Sequence, residues 1–315
     1  MSPPPVIVNH LSAEIGEALL AHPCRPRVIN APEPDHPWLI DEDADILVTG
    51  SFSKWKQAPD HWRPAEKLKW VQVASTGVEV YPPGLKAGPV MTCGRGLNAV
   101  PIAEFVFAAM LRVEKKIEQT RAREEADWVH PEIGSLHGRT IGLIGYGSIG
   151  QAITSRALAF GMKVIVNRRG AWDRVPDGVT PCPSPEEVFA KADHLVIAAP
   201  LTDETHGLVN TALLSRSKPG LHLINIARGA LVDQDALLAA LEDGVIAEAT
   251  LDVTTPEPLP DGHVLYGHPN VLISPHISWR GGDQDGMFLE RLLSNLDAYV
   301  QGEPLQYRVD PVAGY

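Results

Sequence analysis

Short apolar runs alternate along the whole chain with stretches of helical spacing. In the first hundred residues the runs "PVIVNH" (5–10), "RVIN" (27–30), "ADILVTG" (44–50), "LKWVQVAST" (68–76) and "PVMTCG" (89–94) read as strands. Between the first two, "SAEIGEALLAH" opens with Ser12 and settles into helical periodicity. The spacing then predicts a long helix over 99–126, apolar at its start and increasingly charged, which leaves one core and crosses to another domain. A second alternating series follows: "TIGLIGYG", "VIVNRRG" (164–170), "DHLVIAAPL" (193–201), "GLHLINIARG" (220–229), "AEATLDV" (247–253) and "NVLISPHIS" (270–278). The intervening "SPEEVFAKA" and "DQDALLAALEDG" have Ser or Asp at the N-cap, and Gly244 is placed as a C-cap. One more amphipathic helix, "DQDGMFLERLLSNLDAYVQGEP" (283–304), ends the series. Strands alternating with helices imply parallel sheets covered on both faces. If the last helix returns to the first domain, that domain is discontinuous and the two crossings form a hinge. The expected architecture is α/β, with two doubly wound parallel-sheet domains: residues 1–98 with 284–315, and residues 99–283.

Composition narrows the class. A length of 315 residues suits two ordinary domains, and 44% hydrophobic with 21% charged residues is the balance of a soluble globular enzyme. The three cysteines, Cys24, Cys93 and Cys182, are far apart and form no CxxC. That argues against a disulfide framework or a zinc site and for a reducing compartment. The twelve histidines form no metal-binding cluster, so no metal is expected. A net charge of −12 disfavours nucleic acid or an anionic membrane as partner. The start, "MSPPPVIVNH", lacks a basic leader, and the longest apolar run, "VPIAEFVFAAML", is too short to span a bilayer and carries Glu104. A cytoplasmic protein is expected.

The candidate chemistry begins at "TIGLIGYGSIG", where Gly145, Gly147 and Gly150 form G-x-G-x-x-G between a strand and a helix. A bare match is weak, but this one has the strand–turn–helix–strand context of a dinucleotide loop, with the pyrophosphate at a helix N-terminus. The next strand ends where the adenosine ribose of a dinucleotide sits. NAD-specific proteins place an acid there; this chain has Asn167, Arg168 and Arg169. Two guanidiniums can grip a 2′-phosphate, whereas an ordinary solvated strand end would not explain the missing acid. The expected cofactor is NADP(H).

Three later strand ends carry Arg228 with Gly229, Asp252 followed by Glu257, and His276. Each alone has a bland reading: a salt-bridge arginine, a solvated loop glutamate, a structural histidine. Together, in this order behind a dinucleotide loop, they are specific. The chain resembles the D-isomer-specific 2-hydroxyacid dehydrogenases, in particular their glyoxylate/hydroxypyruvate reductase branch, over nearly its whole length and most densely from about 136 to 280. The resemblance implies a flavodoxin-like substrate domain beside a Rossmann nucleotide domain. It implies that Arg228 binds the substrate carboxylate and polarises the 2-keto oxygen, that His276 protonates that oxygen, and that Glu257 orients His276 and keeps it charged. Hydride addition builds negative charge on oxygen, so a cation and a proton donor suit it. By the same resemblance Thr76 and Gly77 hold the substrate carboxylate, and Ser148 and Ile149 touch the pyrophosphate. Ala199, Pro200, Ile226, Ala227, Asp252 and Ser278 complete the cofactor contacts, Asp252 at the nicotinamide carboxamide.

Departures bear on the substrate. Glu79 stands where Asp is commoner, Ser148 replaces an arginine, and Trp279 and Arg280 follow the histidine where relatives have small residues. Trp279 is placed at the substrate. Phe52, Trp55 and Trp279 either shrink the pocket around a small 2-keto acid, the preferred reading, or stack on an aryl-pyruvate. A formate or phosphite oxidase would need an altered polar set, and a dinucleotide-sensing corepressor shares the same triad but carries extra interaction segments. A homodimer is expected, with Trp128 in "EEADWVHPEIGSL" packed either on the partner or within its own chain.

Overall fold

Each apolar run forms a strand, and the strands sort into two all-parallel sheets. The computed structural model describes residues 3–310. Its elements run β1 (Val6–Asn9), α1 (Ala13–Leu20), β2 (Arg27–Asn30), β3 (Ile46–Thr49), β4 (Trp70–Val73), α2 (Pro83–Ala87) and β5 (Val90–Thr92). Then follow α3 (Ala99–Lys115), β6 (Thr140–Ile144), α4 (Ser148–Ala159), β7 (Lys163–Asn167), β8 (Val179–Pro181), α5 (Pro185–Lys191), β9 (His194–Ile197) and α6 (Thr211–Leu214). The chain continues through β10 (Leu221–Asn225), α7 (Gln234–Glu242), β11 (Ile246–Leu251), α8 (Val264–Gly267), β12 (Val271–Ile273) and α9 (Gln284–Gln301). Two compact units result, one from the chain up to Leu97 and from Gly282 onward, the other from Asn98–Gly281.

In the first unit the strand order is β2-β1-β3-β4-β5, the doubly wound order of flavodoxin. Alternate residues serve its two faces. Ile7, Ile46, Val48 and Trp70 pack with α1 and with Phe288, Leu292 and Leu296 of α9, while Val8, Leu47, Val71 and Val73 pack with Trp55, Tyr81 and Leu85. Asn295 of α9 donates to Gln72 Oε1 (3.2 Å), and Thr92 donates to the same atom (2.8 Å), which fixes α9 on the sheet. In the second unit the order is β12-β11-β10-β9-β6-β7-β8, the Rossmann order with one further strand. Here α3 and α4 cover one face, and α5, α6 and α7 the other.

The predicted helix over 99–126 is shorter than expected. Its apolar stripe (Ile102, Ala103, Val106, Phe107, Met110) ends with α3, and Lys116 turns left-handed at φ 48°. The charged residues beyond it have no apolar face to bury, and packing of such a face supplies most helix stability. At the other ends the side chains of Ser184, Asp233 and Asp283 cap α5, α7 and α9, while Ser12 makes no cap bond. Gly244, at φ 70°, lies one residue beyond the C-cap of α7. The short β8, α2, α6 and α8 were not legible as periodic segments.

Candidate active site

The second unit gathers its candidate residues at the carboxyl ends of its strands. β6 is followed by Gly145, whose φ of +100° and whose closeness to the end of the neighbouring β9 exclude any other residue: a Cβ there would stand 2.6 Å from Ala198 O. Gly147 faces open space and, as N-cap of α4, provides no side-chain cap. The first amides of α4, at Ser148, Ile149 and Gly150, are thus left to an outside acceptor. A Cβ at Gly150 would meet Gly145 O at 3.0 Å. This cradle fits a dinucleotide pyrophosphate. Beside it, β7 ends in Asn167, which donates to Cys182 O (3.0 Å), and the exposed Arg168 and Arg169 follow. Ala199 and Pro200 follow β9, and Ile226 and Ala227 follow β10.

Asp252, just after β11, is 1% exposed. Its Oδ1 accepts from Ser274 Oγ (2.6 Å) and Ile277 N–H (2.9 Å), and its Oδ2 from Ser278 N–H (3.0 Å). The loop held in this way carries His276 at φ +52°. The His276 N–H donates to Asp252 O and Ser274 O (2.9 Å each), and Trp279 Nε1–H donates to His276 O (2.7 Å). Glu257 Oε1 stands 2.6 Å from His276 Nδ1, with side chains 44% and 39% exposed. The predicted acid–base pair is therefore brought together, and at a surface that a substrate can reach.

Arg228 ends β10. Its backbone turn is shaped by buried Asn225, which donates to Arg228 O (2.9 Å) and accepts from Ala227 N–H (3.1 Å). The arginine's own Nη1 donates to Ala227 O (2.7 Å). Gly229 lies so close to the loop after β11 that a Cβ would come within 2.0 Å of Thr254 O. Gln234 braces the loop bearing Glu257, donating to Thr255 O and accepting from Thr255 N–H (2.8 Å). Asn225, Gln234, Thr254 and Ser274 were not foreseen. Asn225 shapes a local turn, while the roles of Gln234, Thr254 and Ser274 come from strand ends meeting in space, which no local pattern marks.

In the first unit Thr76 and Gly77 lie on the loop after β4. Ser75 Oγ donates to Gly77 O (2.7 Å), Thr76 Oγ1 to Gly94 O (3.3 Å), and Gly94 N–H to Ser75 O (2.8 Å), so the loop is braced on the end of β5. Trp55 departs from expectation. It is 1% exposed, donates to Gly50 O and packs edge-on against Tyr81, so it belongs to the core, while Phe52 is half-buried. His10 is buried beside Thr49, and burial lowers its pKa to about 4. Trp128 is 78% exposed, so its burial within its own chain does not occur. Among the described residues no helix is long and apolar enough to cross a membrane, and no three His, Cys, Asp or Glu side chains could hold a metal ion.

The chain is similar to known proteins over most of its length. The family model described as D-isomer specific 2-hydroxyacid dehydrogenase, NAD binding domain, matches residues 107–278. A glycerate dehydrogenase of Methylorubrum extorquens is 33% identical over 286 residues, 85% of this chain and 88% of its own. A glyoxylate/hydroxypyruvate reductase B of Pectobacterium carotovorum is 30% identical, covering 99% of both chains. The NADPH-dependent glyoxylate/hydroxypyruvate reductase of Sinorhizobium meliloti, solved with NADP and sulfate, is similar at a TM-score of 0.80 and 25% identity, covering 99% of this chain and 100% of its own. The family model spans more than half of the chain and these relatives match most of its length: the chain belongs to the D-isomer-specific 2-hydroxyacid dehydrogenases, which act on small 2-hydroxy and 2-keto acids.

Proposed function

We propose that the chain reduces a small 2-keto acid, glyoxylate or hydroxypyruvate, to glycolate or D-glycerate with NADPH. The observation that carries the reading is the 2.6 Å pair of Glu257 and His276 at the sheet edge that also bears Arg228. In this reading Glu257 accepts the Nδ1–H of His276, so Nε2–H faces the substrate. That proton passes to the keto oxygen while the Arg228 guanidinium neutralises the charge that builds there. The bound dinucleotide supplies the hydride. Thr76 and Gly77 offer backbone N–H groups to the substrate carboxylate. We assign the unit Asn98–Gly281 to the dinucleotide and the other to the substrate.

The cofactor preference rests on Asn167, Arg168 and Arg169, a strand end with two cations and no acid, and is supported by the NADP bound to the S. meliloti relative. With three donors on its carboxylate, Asp252 keeps at most about one of four lone-pair positions for a carboxamide. Its first task is to build the His276 loop. Of the aromatic candidates, Trp55 belongs to the core of its own unit, whereas Trp279, 39% exposed, is tied to His276, and a bulky side chain fixed beside the acid supports a small substrate. The homodimer reading is supported by Ile117, Trp128, Val129 and Ile133, each more than half exposed in one stretch of chain. Light scattering at micromolar concentration checks it, and a monomer there would rule it out.

Initial rates with glyoxylate, hydroxypyruvate and phenylpyruvate, each with NADPH and with NADH, test the whole reading. The small acids with NADPH should have the highest kcat/KM. Phenylpyruvate ahead by tenfold, about 1.4 kcal/mol of transition-state preference, overturns the small-substrate reading, and equal use of NADH overturns the cofactor reading.

A further inference from the structure

The strand end that follows β7 is built with an unusual partner. Among the described residues no carboxylate pairs with Arg168; its guanidinium carbon instead stands 5.0 Å over the ring of Trp172. The indole leans in turn on Tyr146, ring centroids 5.1 Å apart at 56°. Tyr146 is the residue between Gly145 and Gly147, and both rings pack on the core under α3 and α4. A Cβ at Gly170 would come 3.2 Å from Arg168 Nη2, so the turn keeps that side of the guanidinium clear.

We infer that Trp172 is a positioning residue for cofactor selectivity: seated on Tyr146 of the phosphate loop, it holds Arg168 ready for the 2′-phosphate of the dinucleotide. The inference rests on the NADPH reading above and deepens it. An exposed arginine on a free strand end samples many rotamers, and binding a phosphate must freeze them. A ring beneath the guanidinium removes most of those rotamers beforehand while leaving its edge, with the N–H fork, open to an anion. Because the same ring rests on Tyr146, the cation is braced to the loop that receives the pyrophosphate. The two anionic parts of one ligand then meet a single packed cluster. Arg168 is the arginine seated over the Trp172 ring, so its contribution depends on Trp172.

Calorimetric titration of the whole protein with 2′,5′-ADP and with 5′-ADP tests this without turnover. Wild type should bind 2′,5′-ADP more tightly. Trp172→Ala and Trp172→Leu, the second retaining bulk without a π face, should each weaken 2′,5′-ADP three- to tenfold and change 5′-ADP less than twofold. Trp172→Phe should restore most of the loss. In an Arg168→Ala background, Trp172→Ala should add nothing. Equal weakening of both ligands, or full affinity in Trp172→Leu, would show packing alone and overturn the inference. A wild type that binds the two ligands equally overturns the NADPH reading, and this inference with it.

Discussion

Asp252→Ala separates a structural role of this carboxylate from a cofactor contact. The side chain is 1% exposed and satisfies three donors, Ser274 Oγ and the N–H groups of Ile277 and Ser278. A buried donor left without a partner costs about 1–3 kcal/mol, so three would approach 9 kcal/mol if nothing relaxed. Ser274 can rotate and water can enter the space, so a loss of about 3 kcal/mol is expected, a large share of the roughly 5–15 kcal/mol typical of a domain. Asp252→Asn keeps one acceptor oxygen for Ser274 and Ile277 but turns an NH2 group toward the Ser278 N–H, and should cost about 1–2 kcal/mol. Catalysis should fall further than stability suggests. His276 sits at φ +52°, a conformation that costs a non-glycine residue about 1–2 kcal/mol, and the carboxylate holds the amides that follow it. Released from that hold, the loop relaxes and the imidazole moves; a displacement of about 1 Å can cost roughly 10²-fold in kcat. Urea unfolding followed by tryptophan fluorescence gives the first quantity, and saturating turnover the second. If Asp252→Ala unfolds like wild type and only the KM for NADPH rises, the carboxylate is a cofactor contact and this reasoning is wrong.

Other outcomes are equally specific. His276→Ala should lower kcat by about 10²–10⁴, and wild-type turnover in that variant would remove His276 from the mechanism. Gly145→Ala puts a Cβ 2.6 Å from Ala198 O at φ +100°; calorimetry should find 5′-ADP binding lost or strongly weakened, and normal affinity would mean the loop is not the pyrophosphate cradle. Acid should destabilise the fold through His10, which burial holds at a pKa of about 4 against a usual 6.5. The unfolded chain binds that proton first, so stability present above pH 6.5 is lost as pH falls toward 4, by up to about 3 kcal/mol. His10→Gln should flatten that part of a stability–pH curve measured by chemical unfolding; an unchanged slope would exclude His10 as its source.

The sequence by itself determined the parallel strands, because a strand buried on both faces must be apolar almost throughout, and those runs stand out between helical spacings. It also determined the glycine turn after β6, since a turn that approaches Ala198 O so closely tolerates only glycine, and the two positive charges, Arg168 and Arg169, just beyond β7. Residues whose roles are set by their own backbone position can be read in one dimension. Tertiary structure decided the rest. Whether 99–126 was one helix depended on how far its apolar stripe had a core to face, which ended at Lys115. Trp55 and Trp279 look alike as aromatics after strands, yet one fills a core and the other pins His276. Gln234 and Ser274 matter only because β10, β11 and β12 end side by side, so that residues some twenty positions apart hydrogen-bond to each other, Gln234 with Thr255 and Ser274 with Asp252. Trp172 meets Arg168 locally, four residues along the same turn, but it reaches Tyr146 only because β6 and β7 are neighbours in the sheet, where hydrogen-bonded register closes distance along the chain.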